Sequence, residues 1–574
     1  MSLFGSLEIG KKSMSVAQTG QHTTGHNIAN VDTEGFSRQE VVQETAMPAV
    51  AGKGQGADVQ TIRRIQDGFT KDKVVGEQTQ VGSWDTREKV LKEVEAIYTD
   101  LEGTKLRSSL DEFWSAWNTL AHEPESGPMR KALITKADAL TQQFQVFDRR
   151  LSELRGNLNA RVSGQILEVN QLTTQIAELN KQVEQLENRG RPANDARDMR
   201  EKLLQQLSEI MEVRSFENER GNLEVQIKNG STLVHGRQAY NIQALKSAET
   251  GDDVMLGLTG PTGLVTDVTH FVGGGSIKEL IEQRDLNCKK FQDNINTIAK
   301  ELVFRVNGLH SGGTGIKGLK AHETSAYSLN QDALKNPLPF LQTGSFALTV
   351  TDKDGNPEQT VSIAVEAGKD SVQDLVDKIN VAAGAYEKDS QGNMTLKEKT
   401  PFKAVLNPEG SLSLESDMGR QFYFDGDNTN FFSVMGFNSF FHGINGAKDM
   451  AVNAELKEDE WKIAAGSGLI PSDNRIAVAI GELQTSAVLE DGTMSFDEYY
   501  NGQVTEVGLL TQDAQKGAKS HNQMLEQYEA MRDSISAVNI DEEMANMVKY
   551  QRAYESSAKY LSTIDEMTQT VINM

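Results

Sequence analysis

Leu3, Leu7, Gly10, Met14, Ala17 and Ile28 fall on one heptad-spaced stripe, with Gln21 and Thr24 as its polar members and a polar face opposite. This period predicts an amphipathic helix. The next stretch, GHNIANVDTEGFSRQ (Gly25–Gln39), interrupts it. Asn30 is the expected helix end, Asp32 to Gly35 the turn, Phe36 an apolar anchor, and Arg38 a partner for an acidic group in the chain or in a subunit alongside. Nothing that follows is close enough in sequence to cover the stripe.

Gln39 to Arg64 is expected to be an extended connector with room for a hairpin, because Pro, Gly and small polar residues precede a weak Val59, Thr61, Ile65 alternation. Helical spacing returns from Asp72 to Leu120 and ends in an aromatic face of Leu110, Phe113, Trp114, Trp117 and Leu120, which needs a partner helix. The stripe from Leu140 to Leu186 supplies one. It runs in steps of three and four with no proline before Pro192, a helix of roughly 70 Å at ~1.5 Å per residue. Three consecutive four-residue steps, Leu154 to Ile166, unwind any regular supercoil there, so a long, thin bundle is expected.

Leu203 to Ile210 continues helical, and a small β subdomain follows at about 213–272, with Asn229-Gly230 as a hairpin turn. Helical spacing resumes from Ile277 to Leu309, and KNPLPF (Lys335–Phe340) marks a boundary. From Phe346 to about Phe441 the pattern is β with one short helix around Leu375–Ile379. The last hundred residues are helical, with Met524, Tyr528, Met531, Ile535 and Val538 on one face. Asn539 and Glu542 have capping-box spacing at the start of a final helix. That helix carries Ile540, Met547, Tyr554 and Leu561 on one heptad position and Tyr550, Ile564 and Val571 on its companion, with Ser557 and Thr568 as polar interruptions.

The expected fold class is α+β and multidomain. It comprises a terminal coiled-coil domain (1–45 plus 530–574), an elongated helical bundle (46–335 plus 448–529) and a β-rich outer domain (336–447). The termini must meet in space to bury their stripes, and lone helices of this kind are marginal in water, so disorder of the terminal domain in the monomer is expected.

Composition narrows the function. With 58 Lys and Arg against 82 Asp and Glu, the net charge is −24, which argues against nucleic acid or an anionic membrane as the main partner. No apolar run reaches the ~18 residues of a membrane span, and the first residues lack the h-region of a cleaved signal peptide. A single cysteine, Cys288, rules out an internal disulfide and reads as a packed thiol.

Candidate chemistry is weak throughout. GTGIKG (Gly313–Gly318) has the spacing of a phosphate-cradling loop but follows a helix instead of a strand, so it reads as a loop. GSLEIGKK (Gly5–Lys12) places Lys12 where a Ser or Thr is required. His22 and His26 lack a third ligand and the glutamate of a zinc helix, and TDKDGN and FDGDN lack the glutamate that completes a calcium loop. No catalytic constellation, metal site or cofactor site is expected.

The termini carry a resemblance. HNIANVDTEGFSRQ and NIDEEMANMVKYQRAYESSAKYLSTIDEMTQTVINM resemble the N- and C-terminal signatures of the axial proteins of the bacterial flagellum, the rod, hook and hook-associated proteins. The SRQ after the Gly-Phe pair leans toward the hook-filament junction branch. RKALITKADALTQQF (Arg130–Phe144), RVNGLHSGG (Arg305–Gly313) and FFSVMGFNSFFHG (Phe431–Gly443) lean the same way.

The resemblance implies an extracellular place in the flagellum, reached by flagellum-specific type III export without a cleaved signal peptide. It implies a tube with the terminal helices innermost and the β-rich middle outermost. The partners it implies are copies of the same chain, the hook protein, the second hook-filament junction protein, and an export chaperone bound to the C-terminal segment. The expected assembly interface pairs Leu3, Leu7, Met14, Ala17 and Ile28 with Met547, Tyr550, Tyr554, Leu561 and Ile564, beside the turn residues Asn27, Asn30, Gly35, Phe36 and Arg38. The rival readings are a hook or rod protein, an adhesin acting through the β domain, and a wall hydrolase.

Overall fold

The structure is a computed structural model that describes all residues except 1–2, 47–53, 100–105, 249–250, 320–321, 326, 328–335, 337–340, 353, 355, 389–393, 398–399, 417–419, 444, 468–469 and 574. The chain forms two compact units. One comprises Met1–Lys92, Arg155–Leu286 and Leu510–Met574, the other Glu93–Leu154 and Asn287–Leu509. The KNPLPF boundary lies, except for Asn336, outside the described residues. Among the described residues no helix is long and apolar enough to cross a membrane.

The longest helix spans Gly127–Glu187, 61 residues or about 90 Å. It starts well before the Leu140 stripe because Pro128 is tolerated in a first turn, where its missing N–H would have no partner. The predicted stripe is buried along it, from Leu140 and Phe144 to Ile176 and Val183.

In the first unit, helices Gly68–Thr99 and Phe496–Ser536 share a core in which Val74 and Val81 meet Leu525, with Tyr528 against them. This corrects the expected face. Met524, Met531 and Ile535 are exposed, because Leu525 and Tyr528 turn the helix toward its neighbour. Gly517 sets the approach, since a Cβ there would stand 2.2 Å from the Trp84 ring. The β subdomain is a four-stranded antiparallel sheet (Arg214–Glu217, Leu223–Gln226, Thr232–His235, Gln238–Ala239) followed by a three-stranded one (Ile242–Lys246, Val254–Thr259, Val265–Asp267). Gly230 makes its turn at φ 85°, and the Asn229 carboxamide accepts the Ser231 N–H.

In the second unit, the helical stretch predicted to Leu120 is a separate helix, Leu106–His122. Its aromatic face is fully buried, but much of its cover comes from residues over 300 positions later. Trp117 meets Phe440 at 5.1 Å between ring centroids, Phe113 meets Phe441 at 5.6 Å, and Trp114 meets Phe496 at 5.8 Å. In the β-rich part, strand Gly344–Thr351 lies between Pro357–Val365 and Gln421–Asp425. Helix Val372–Ala382, started by a capping box of Ser371 and Asp374, closes the core with Leu375, Val376 and Ile379. The helix predicted from Ile277 to Leu309 is broken, with a π-helical turn at Gln283–Cys288 separating Ser276–Glu282 from Lys289–Ser311.

Candidate assembly interface at the chain termini

Helix Leu3–Ala29 lies along helix Ile540–Ile572, within the first unit. The two terminal segments thus form a helix pair. Its seam is offset from the predicted stripe by one position. Gly10, Ala17 and Thr24 are buried as the stripe requires, but the other heptad position is filled by Ser6, Gly20 and Asn27, all buried, and by Ser13. Leu7 is 37% exposed, and Met14 and Ile28 are half-buried on the flank. Leu3 starts the helix, and its side chain lies outside the described residues.

The offset follows from size. A Cβ on Gly20 would stand 2.5 Å from the Tyr550 ring, and one on Gly10 would stand 2.7 Å from Leu561 Cδ2. Glycine lets the two backbones approach and leaves the bulk to the partner helix. On that helix Ile564 is buried, and Met547, Tyr550, Tyr554 and Leu561 are half-buried toward the pair. Ile540 and Val571, expected on the same stripe, are exposed. Ser557, predicted as an interruption, is a buried seam residue whose hydroxyl meets that of Ser13 at 2.8 Å.

The turn locks the pair at one end. The last helical residue is Ala29, and Asn30 follows with its N–H still bonded to His26 O. Asn30 Nδ2 donates to the same carbonyl at 2.9 Å. Gly35 takes φ 82°, a conformation that costs only glycine little. Phe36 packs edge-on against His26 at 5.4 Å. Arg38 donates from Nε to Glu543 at 2.7 Å and from Nη1 to Glu542 at 2.9 Å. Glu543 is 2% exposed and also accepts from Asn27 Nδ2 at 3.1 Å. Asn27 in turn brackets Gln39, accepting its N–H and donating to its carbonyl.

Asn539 caps the C-terminal helix by accepting the Asp541 and Glu542 N–H groups, but Glu542 is drawn to Arg38, so the capping box stays half-made. Behind the turn, hairpin Gln39–Thr45/Ala57–Arg64 sits on helix Asn194–Ile210. Asp198 accepts from the Ser37 N–H and hydroxyl and from Arg64 at 2.6 Å. Burial holds its carboxyl above the usual range despite that arginine.

Two further motifs meet in the second unit. Asn307 of RVNGLHSGG accepts the N–H groups of Phe440 and Phe441 and donates to Phe441 O. His310 is fully buried, with Nδ1 2.7 Å from Asn438 O and Nε2 accepting the Ala464 N–H at 2.9 Å. This pairing fixes a neutral imidazole with its proton on Nδ1, and desolvation pulls its pKa down to about 4. Sequence reasoning singled out both stretches only by resemblance, since an Asn and a His in a helical pattern give no sign of backbone partners 130 residues away.

A family model described as the flagellar hook-associated protein FlgK helical domain matches residues 91–323. The C-terminal part of the flagellar basal body rod FlgEFG proteins matches 532–574, and the flagellin hook IN motif matches 345–417. Flagellar hook-associated protein 1 of Salmonella typhimurium is 25% identical, with 98% of each chain covered. Its Bacillus subtilis counterpart is 24% identical, covering 100% of this chain and 98% of its own. The solved structure of the flagellar hook junction protein FlgK from Burkholderia pseudomallei shares the fold, with a TM-score of 0.51 at 16% identity over 81% of this chain and all of that one.

These matches place the chain among the structural proteins of the flagellar hook and filament. Within that class its family-model and full-length likenesses are to FlgK, hook-associated protein 1, and they support a structural component of the hook-filament junction.

Proposed function

We propose that the terminal helix pair is the repeating contact by which copies of this chain form one layer of the flagellar tube. The observation that carries this reading is the C-terminal helix. Of its 33 residues, Glu543, Ser557 and Ile564 are buried, while Ile540, Met544, Val548, Met567 and Val571 are exposed. Burying one such side chain contributes up to about 1.5–3 kcal/mol, a reserve that is realised only against another molecule.

Within a chain the seam sets Gly10 against Leu561 and Gly20 against Tyr550. Leu7, Met14 and Ile28 on one helix, with Met544 and Val548 on the other, then face neighbouring copies. Such contacts are heterologous and suit a ring or helical layer. In this reading 1–45 plus 530–574 form the inner layer, 46–335 plus 448–529 the bundle around it, and 336–447 the outer surface.

The layer joins the hook protein on one side to the second junction protein and filament on the other. The chain reaches it by type III export without a cleaved signal peptide, its C-terminal segment first held by an export chaperone. It works by assembly and performs no catalysis. Sparse burial of the C-terminal helix supports coupling between ordering of the ends and assembly.

Deleting residues 1–30 should leave a folded, monomeric middle that does not incorporate into flagella, and retained incorporation would sink the proposal. In a strain lacking the protein, electron micrographs should show hooks ending bare while filament protein is lost to the medium.

A further inference from the structure

The glycine-rich stretch Gly313–Gly318 is not a nucleotide loop, yet its residues Thr314, Gly315 and Ile316 wall a cavity of about 190 Å³ in the second unit with Arg130, Tyr423, Gly466 and Asp473. Arg130 is 1% exposed. Its Nε donates to Pro124 O at 2.9 Å and its Nη1 to Ile463 O at 2.7 Å and, weakly, to Glu460 O at 3.4 Å; the Trp461 ring lies 5.9 Å away. Among the described residues Nη2 has no hydrogen-bond partner, and no carboxylate pairs with the guanidinium.

A buried cation with no carboxylate in contact is costly, and desolvation pulls the pKa of Arg130 down to about 10, although the charge of Glu460 opposes that fall. The loop contributes unspent donors. Thr314 and Lys317 give their N–H groups to Gly466 O and Trp461 O, but the amides of Gly315 and Ile316 between them bond to nothing among the described residues. Gly315 is pressed so close that a Cβ would stand 2.7 Å from Trp461 O.

We propose that this cavity binds a small tetrahedral oxyanion, phosphate or sulfate, with Arg130 Nη2 as its charge partner and the amides of Gly315 and Ile316 as further donors. Asp473 lines the same cavity and opposes the anion. Its carboxylate is engaged by Arg475 at 2.7 Å and by the Ser467 N–H at 2.9 Å, which limits that opposition. The bound ion ties the first turn of helix Gly127–Glu187 to the Gly313–Gly318 loop, and the inference stands independently of the junction reading.

Titration calorimetry on the full chain with sodium phosphate, against sodium chloride at matched ionic strength, tests it. Saturable binding is expected, with sulfate competing. Arg130→Gln, checked for folding by circular dichroism, should weaken binding about tenfold or more. Asp473→Asn should tighten it about threefold by removing the opposing charge. Should Arg130→Gln fail to fold, the Asp473→Asn result decides. No saturable phosphate heat in the parent chain, or an affinity unmoved by Asp473→Asn, overturns the proposal.

Discussion

Arg38 faces two carboxylates, and the one that matters is Glu543, because Glu542 is largely in water while the Glu543 side chain is 3% exposed. Removing the arginine strands a buried charge. Arg38→Ala should therefore cost about 2–3 kcal/mol, toward the low end for a broken buried pair since Arg38 itself is a fifth exposed. Hydrogen exchange of the C-terminal helix checks this, with faster exchange expected around Met547. The paired change Arg38→Met with Glu543→Leu should recover most of the loss.

His310 makes an opposite kind of prediction, in pH. Its folded pKa of about 4 lies below the unfolded value near 6.5, so the unfolded chain binds the extra proton first. Its contribution is whole above pH 6.5 and drains as the pH falls toward 4, by up to about 3 kcal/mol. Trp117, 6.3 Å from the imidazole, reports it in urea unfolding followed by fluorescence. His310→Gln should flatten the slope between pH 6.5 and 4. The turn residues were legible at this scale, since Asn, Asp and Gly carry their conformations with them. Glu543 was not, because nothing local distinguishes it from Glu542.

Among the elements, long stripes were the most legible. The helix Gly127–Glu187 and the terminal helices stand where their periods put them, since steps of three and four over many turns admit one reading. What the pattern missed was rotation. The predicted stripe joined Gly10 and Ala17 to Leu7 and Met14, whereas packing joins them to Ser6, Gly20 and Asn27. The same error turned helix Phe496–Ser536 toward Met524 instead of Leu525.

Gly20→Ala separates the two views. Helix propensity favours alanine by about 1 kcal/mol, but a methyl 2.5 Å from the Tyr550 ring costs about 1–3 kcal/mol, so the variant should be less stable on balance. Adding Tyr550→Leu should reverse the sign. A thermal melt of each variant settles which term wins.

For the whole molecule, the separate contributions of distant segments were beyond the pattern. The aromatic helix Leu106–His122 is covered by Phe440, Phe441 and Phe496, and no period links residues so far apart. Assembly is the property of this scale. Replacing Met544 and Val548, 52% and 47% exposed, by glutamate should leave monomer melting within about 0.5 kcal/mol while abolishing incorporation into flagella. Sedimentation of the purified variant and micrographs of the complemented strain measure the two halves.

The seam of serines, glycines and one buried ion pair has a consequence for handling the chain before it arrives. Two helices zipped by leucines would expose a sticky stripe whenever they parted, inviting capture by any other exposed stripe. Here parting uncovers mainly hydroxyls and glycine backbone along the N-terminal helix, so the C-terminal helix, with Tyr550, Leu561 and Ile564, carries most of the apolar face. One side of the fastener is thus poor in surface that another stripe could capture, and the pair is drawn shut for good once neighbours cover its outer sides.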